Sequence, residues 1–239
     1  MRVLVTRPEP QATGTARRLE ALGHVPLVAP MLSTVALPPP PLPPEGALAV
    51  TSRTALDVLA GHPDLPALFG RRLYAVGDAT AAAARALGFA HVASAAGDVG
   101  DLARLIAADA PAGGVTHLAG EERAGDLSGD LARRGIDTAT VALYRMAAAA
   151  RLPGPAAEAL RAGAIDAILV YSPRSAAALL AAAERDGVAA VVLATPLLVL
   201  SKAVAAPFRA AGAARLSVAR RPDETALLGL LASDGTDGR

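Results

Sequence analysis

The chain of 239 residues contains no cysteine and no tryptophan. Without cysteine there is no disulfide framework, thiolate nucleophile, zinc ribbon or iron–sulfur site, and a reducing cytoplasm is the expected setting. Aromatic residues make up only 3%, which leaves few platforms for stacking bases, flavins or nucleotides. Neither sign of charge is in excess: 23 Lys+Arg face 22 Asp+Glu, a net charge of +1. A general nucleic-acid binder carries a basic surplus, so nucleic acid is not an expected partner. Lysine itself is scarce, since Lys202 is the only one and the other 22 cations are arginines. Long apolar runs are missing too. Gly187 to Ser201 is uncharged for 15 residues but holds Pro196, whereas a spanning helix needs ~20. The opening M-R-V-L-V-T-R-P is too short in apolar residues for a signal peptide, and no membrane association is expected.

What is present is a 53% hydrophobic chain in which short apolar runs alternate with alanine-rich helical stretches. The pattern predicts strands at Val3–Thr6, Pro26–Ala29, Ala47–Thr51, Leu73–Val76, His91–Ser94, Val115–Ala119, Thr138–Tyr144, Ala167–Tyr171, Leu197–Leu200 and Leu216–Ala219. It predicts helices at Gln11–Leu22, Thr54–Ala60, Ala79–Leu87, Gly100–Ala108, Leu127–Arg134, Ala156–Arg161, Ser175–Glu184, Ala203–Ala211 and Glu224–Ala232. Such β-α alternation argues for parallel sheets covered by helices. About ten strands are many for one open sheet, so two sheets of about five are expected. The proline-rich tract Pro38–Pro44 reads as an extended spacer without function, and the polar tail Ser233–Arg239 as frayed.

An internal repeat supports the division. A-L-A-V-T-S-R-T-A (Ala47–Ala55) resembles A-I-L-V-Y-S-P-R-S-A (Ala167–Ala176). Leu73–Gly88 resembles Leu197–Gly212 at a similar offset. The unit V-L-V-T-R-P (Val3–Pro8) comes first, whereas its partner T-H-L-A-G-E (Thr116–Glu121) comes late in its copy. The first ~35 residues are therefore expected to complete the sheet of the C-terminal half. One domain would be discontinuous, 1–34 plus 147–239, with a second domain, 37–143, inserted through linkers near 33–37 and 143–147.

In open parallel sheets, ligands bind beyond the carboxyl ends of the strands. The residues expected there include Arg7, Thr51, Ser52, Arg53, Gly77, Gly120, Arg123, Ser172, Ser201 and Lys202. Small hydroxyl residues cap helices, which is the plain structural reading of each. Their recurrence in both halves favours a cleft lined by helix N-termini, suited to a ligand with several carboxylates or phosphates. Phosphate-loop, dinucleotide and nucleophile-elbow motifs are absent. The histidines show no metal-ligand spacing, and no metal is expected. His24, His62 and His91 fall at turns and read as solvated, while His117 and Tyr74 read as core. Tyr171 is expected in the core or at the rim. Tyr144 ends a predicted strand, where its phenol would act as a proton donor.

Taken together, L-V-T-R-P, V-T-S-R-T-A, Y-A-V-G-D-A-T-A, H-L-A-G-E, the Y-R at Tyr144 and Y-S-P-R-S-A resemble the uroporphyrinogen-III synthase family across nearly the whole chain. The resemblance implies two α/β domains with parallel, flavodoxin-like sheets joined by a two-stranded connection. It implies closure of hydroxymethylbilane, a linear tetrapyrrole with eight carboxylates, to uroporphyrinogen III. The last pyrrole ring is inverted through a spiro intermediate, water is lost, and no cofactor is used. It assigns catalytic contributions to Tyr144 and Thr80, and carboxylate contacts to Thr51, Ser52, Ser172 and Ser201. Where many members carry a Gly-Pro-Thr-Thr-like turn, this chain has Ser201-Lys202-Ala203-Val204, with Lys202 as the substitute. A monomer is expected, with the bilane-producing enzyme as a transient partner. The other reading is a non-catalytic tetrapyrrole- or anion-binding sensor.

Overall fold

The structure, a computed structural model, describes residues 1–123 and 125–233. The tail beyond Ser233, expected to fray, lies outside them. The first segment carries β1 (Arg2–Val5), α1 (Gln11–Ala21), β2 (Val25–Val28) and β3 (Leu32–Ala36). The middle carries β4 (Ala47–Val50), α2 (Arg53–Leu59), α3 (Leu65–Leu68), β5 (Arg72–Ala75), α4 (Asp78–Leu87), β6 (His91–Ser94), α5 (Val99–Asp109), β7 (Val115–Gly120), α6 (Leu127–Ala132) and β8 (Thr138–Ala148). The last segment carries α7 (Gly154–Arg161), β9 (Ala167–Val170), α8 (Pro173–Arg185), α9 (Ala189–Ala194), β10 (Leu197–Val199), α10 (Lys202–Ala210), β11 (Leu216–Val218) and α11 (Glu224–Ser233). Two compact units result, 1–33 with 147–239 and 34–146.

In the first unit the sheet order is β11-β10-β9-β1-β2, all parallel. Counted along the unit's own strands this is the 2-1-3-4-5 order of flavodoxin-like sheets, with its switch point between β1 and β9. The central strands β1, β9 and β10 are buried on both faces and read as continuous apolar runs, A-I-L-V at Ala167–Val170 for example, as parallel sheets require. Val3, Val5, Leu169 and Leu198 pack under Leu19 of α1 and Leu227 and Leu231 of α11. Each fully buried Val or Leu contributes about 1.5–3 kcal/mol.

The second unit holds the order β3-β8-β7-β4-β5-β6. Five of the strands are parallel in a 3-2-1-4-5 order with a switch point between β4 and β7. The sixth, β3, is absent from the strands read from the apolar pattern but falls at the two-stranded connection that the resemblance implies. Its pairing with β8 is antiparallel, because Leu37 N–H bonds Leu143 C=O while Ala149 N–H bonds Met31 C=O. Alternation along β4 feeds two cores. Leu48 and Val50 join Leu56, Leu59 and Ala84 on one face; Ala47 and Ala49 join Leu102, Ile106 and Leu131 on the other. Gly88 ends α4 at φ +117°, a left-handed conformation that favours glycine.

Two expectations need correction. β8 does not end at Tyr144 but continues to Ala148, because β3 lies along its free edge. His62 is buried, its Nε2 3.1 Å from the Pro40 carbonyl and its Nδ1 accepting from Asp64 N–H; His24 is half-buried and only His91 is exposed. The proline tract carries no helix or strand, as expected, and it is held in place: Arg71 donates to the carbonyls of Pro43, Glu45 and Gly46 at 2.7, 2.6 and 2.8 Å, and Leu42 packs on the core.

Candidate active site

In the second unit, Thr51, Ser52, Gly120 and Tyr144 gather about the β4/β7 switch point, whereas Gly77 and Thr80 follow β5. Ser52 leaves β4 in an extended conformation and caps α2, accepting from Ala55 N–H at 3.2 Å. Its hydroxyl also lies 3.0 Å from the Tyr144 phenol. Tyr144 is placed by a bulge: the β7–β8 register shifts between Ala119 and Gly120, so Gly120 faces Tyr144. Glu121 N–H then bonds the Tyr144 carbonyl at 2.8 Å. A Cβ on Gly120 would sit 2.9 Å from the Tyr144 ring, so the bare glycine is what lets the ring lie there. Bulges of this kind re-aim side chains beside functional sites. Tyr144 is 9% exposed, and Thr51 and Ser52 are half-buried.

Thr51 has a partner the sequence did not suggest. His117 is 3% exposed, and its Nε2 lies 3.2 Å from Thr51 Oγ1. Burial, and secondarily the charge of Arg123, push the imidazole down to about 4, so it is neutral at pH 7. Gly77 caps α4 in an extended conformation with open space beyond its Cα. Thr80, in the first turn of α4, is buried. Arg53 and Arg123 are exposed, and Arg53 lies 3.9 Å from Asp57.

In the first unit the β1/β9 switch point carries Arg7 and Ser172. Ser172 caps α8, accepting from Ser175 N–H at 3.0 Å, with the Ser175 hydroxyl 2.9 Å away. Ser201 caps α10, accepting from Val204 N–H at 3.4 Å, and Lys202 is exposed beside it. Arg7 is committed. It donates to Glu224 at 3.1 Å and Thr15 at 3.2 Å and stacks over Tyr171, 4.2 Å from the ring centroid. Glu224 also accepts from Thr15, Arg18 and, at 3.1 Å, Tyr171. Burial raises the Tyr171 pKa, and its bond with Thr15 and the nearby arginines oppose that. A substrate carboxylate would have to compete with Glu224 for Arg7. A cavity of about 680 Å³ lined by Leu22, His24, Leu228 and Leu231 of this unit contains none of the candidate residues.

Sequence reasoning missed His117 as a partner of Thr51, and Glu224 as the anchor of Arg7. The helix start at Glu224 was visible; the convergence on it was not. Among the described residues no group of His, Asp and Glu could hold a metal ion, and no helix is long and apolar enough to cross a membrane.

These features define a class: two largely parallel α/β sheets with hydroxyl residues, glycine turns and arginines at their strand ends. The chain matches the model of the family described as uroporphyrinogen-III synthase HemD over residues 14–229. It belongs to the uroporphyrinogen-III synthase family, the cyclising lyases of porphyrin synthesis, and acts on a small tetrapyrrole. Uroporphyrinogen-III synthetase from Helicobacter pylori 26695 is 21% identical over 98% of this chain and 99% of its own, with a TM-score of 0.65. That likeness concerns the fold. Wild-type uroporphyrinogen III synthase from the extremely thermophilic bacterium Thermus thermophilus is 20% identical over 100% of both chains, with a TM-score of 0.44. No curated protein sequence matches the chain.

Proposed function

We propose that this chain closes hydroxymethylbilane to uroporphyrinogen III, with Tyr144 and the strand-end groups of both units as its machinery. The observation that carries the reading is the family match over residues 14–229. The substrate loses its terminal hydroxyl as water once a proton is supplied, leaving an electrophilic azafulvene. The substituted carbon of the last ring attacks it to form a spiro intermediate. That intermediate reopens and recloses with the ring inverted, and a proton leaves the new pyrrole carbon. Direct closure needs little help, so the protein's task is to hold the bilane in the conformation that leads to the spiro centre.

Tyr144 donates the proton to the departing hydroxyl, and Ser52, 3.0 Å away, holds the phenol in place. Thr80 contributes from the first turn of α4. Thr51, Ser52, Ser172 and Ser201 donate to carboxylates together with Lys202, and the N-terminal N–H groups of α4 and α8 add to them. Gly77 and Gly120 let the substrate approach the backbone. Arg53 and Arg123 supply positive charge in the second unit, and Arg7 supplies it in the first by exchanging Glu224 for substrate. In this reading residues 1–34 with 147–239 form one domain and 37–143 the other. The chain works as a cytoplasmic monomer, taking its labile substrate from transient contact with the enzyme that makes it.

An isomer assay tests this. Fresh hydroxymethylbilane is supplied, the products are oxidised, and uroporphyrins I and III are separated by chromatography. Isomer III in excess over the no-enzyme control is expected. Isomer I alone from folded protein would move the reading to a sensor module.

A further inference from the structure

His117 opens the H-L-A-G-E string of the family resemblance but is given no role by it or by the chemistry above, yet it sits toward the ligand end of the second unit. Strand register puts it there. His117 of β7 pairs with Ala49 of β4, and Thr51 lies two residues beyond Ala49. Side chains two apart share a sheet face, so the imidazole and the Thr51 hydroxyl meet on one face, 3.2 Å apart. A polar ring 3% exposed inside a strand costs stability unless it is hydrogen-bonded. An aliphatic residue would fill the same space without that cost.

A threonine hydroxyl has one proton and two lone pairs, so its usefulness to a carboxylate depends on where the proton points. An Nε2 that accepts from Thr51 would leave only lone pairs facing a substrate carboxylate. An Nε2–H that donates to Thr51 Oγ1 occupies one lone pair and leaves the O–H outward. We infer that His117 is a positioning residue whose Nε2–H donates to Thr51 Oγ1 and aims the Thr51 hydroxyl proton at a substrate carboxylate. The inference rests on the reading above, in which Thr51 contacts the tetrapyrrole. His117 itself touches no substrate. The ring keeps a single N–H, because burial first and Arg123 second hold it neutral down to about 4.

The test measures KM and kcat for isomer III formation in wild type, Thr51→Val, His117→Leu and the double variant, with melting temperatures recorded. His117→Leu is expected to raise KM about five- to tenfold, the net worth of one ordinary hydrogen bond, with kcat within about twofold. Added to Thr51→Val, it is expected to raise KM no further. The amides add an independent check. His117→Gln places an N–H near the Nε2 position and is expected to hold KM within about twofold, whereas the shorter His117→Asn raises it as Leu does. These two carry the test if the leucine variant does not fold. Equal KM increases from His117→Leu in both backgrounds, loss of kcat at constant KM, or no difference between Gln and Asn would overturn the inference while the functional reading stands. Isomer I alone from wild type would remove both.

Discussion

One hydrogen bond joins Ser52 to Tyr144, and Tyr144→Phe removes it without moving the ring from its place beside Gly120. Ser52 keeps Ala55 N–H as a partner, so the stability cost is expected at about 1 kcal/mol or less. Turnover should fall about tenfold, the equivalent of ~1.4 kcal/mol of transition-state interaction. Single-turnover kinetics and thermal unfolding check the two halves, and unchanged turnover would make Tyr144 a structural residue. His117 yields a pH prediction. Its folded pKa of about 4 lies below the ordinary 6.5, so between those values the unfolded chain binds a proton that the folded one refuses. Stability from this source is complete above pH 6.5 and is lost as pH falls toward 4, by up to about 3 kcal/mol. Urea unfolding between pH 7 and 4.5 should show a smaller loss in His117→Gln than in wild type. Equal losses would mean that the imidazole takes up its proton without penalty.

At the scale of elements, Arg71 is expected to govern the proline tract. Its guanidinium holds three carbonyls of residues 43, 45 and 46, and burial lowers its pKa. Arg71→Ala should cost about 1.5–3 kcal/mol, the range for hydrogen bonds to a charged group, and speed proteolysis between residues 38 and 46. Unaltered cleavage would leave the tract held by the His62–Pro40 bond and the packing of Leu42. The sequence read this tract as a spacer because its polyproline composition is visible and a distant arginine's reach is not. The same contrast runs through the fold. Fully buried strands such as Ala47–Val50 announce themselves by their apolar runs. β3 does not, since only Leu32 of its five residues is buried and pairing with β8 makes it a strand. The stretch after Tyr144, R-M-A-A up to Ala148, carries no strand pattern and extends β8 for the same reason. α3 and α9 span one or two turns, too short for a helical period to show. In the candidate site, Thr51, Ser52 and Gly120 follow from the strand-end rule, whereas Tyr144 lies within β8. The bulge that sets Gly120 against Tyr144, and the bond from His117 to Thr51, depend on register between strands far apart in the chain.

For the whole molecule, the telling quantity is a net charge of +1 against a substrate with eight carboxylates. Such a protein has no long-range field with which to draw in an anion, so recognition rests on local groups. In the proposed site these are of two kinds. Neutral donors, the hydroxyls of Thr51, Ser52, Ser172 and Ser201, are directional and little affected by salt. Exposed cations, Arg53, Arg123 and Lys202, act through water and are screened: the Debye length falls from about 10 Å at 0.1 M to about 3 Å at 1 M. KM is therefore expected to rise with ionic strength, but only about two- to fivefold between 0.05 and 0.5 M, with kcat nearly constant. The combined variant Arg53→Gln/Arg123→Gln/Lys202→Gln should raise KM at low salt and flatten this dependence. The outcome separates the two kinds of contact. A steeper rise would place most of the binding energy on the cations. A KM indifferent to both salt and the triple substitution would leave recognition to the hydroxyls and helix N-termini alone and remove Arg53, Arg123 and Lys202 from the site.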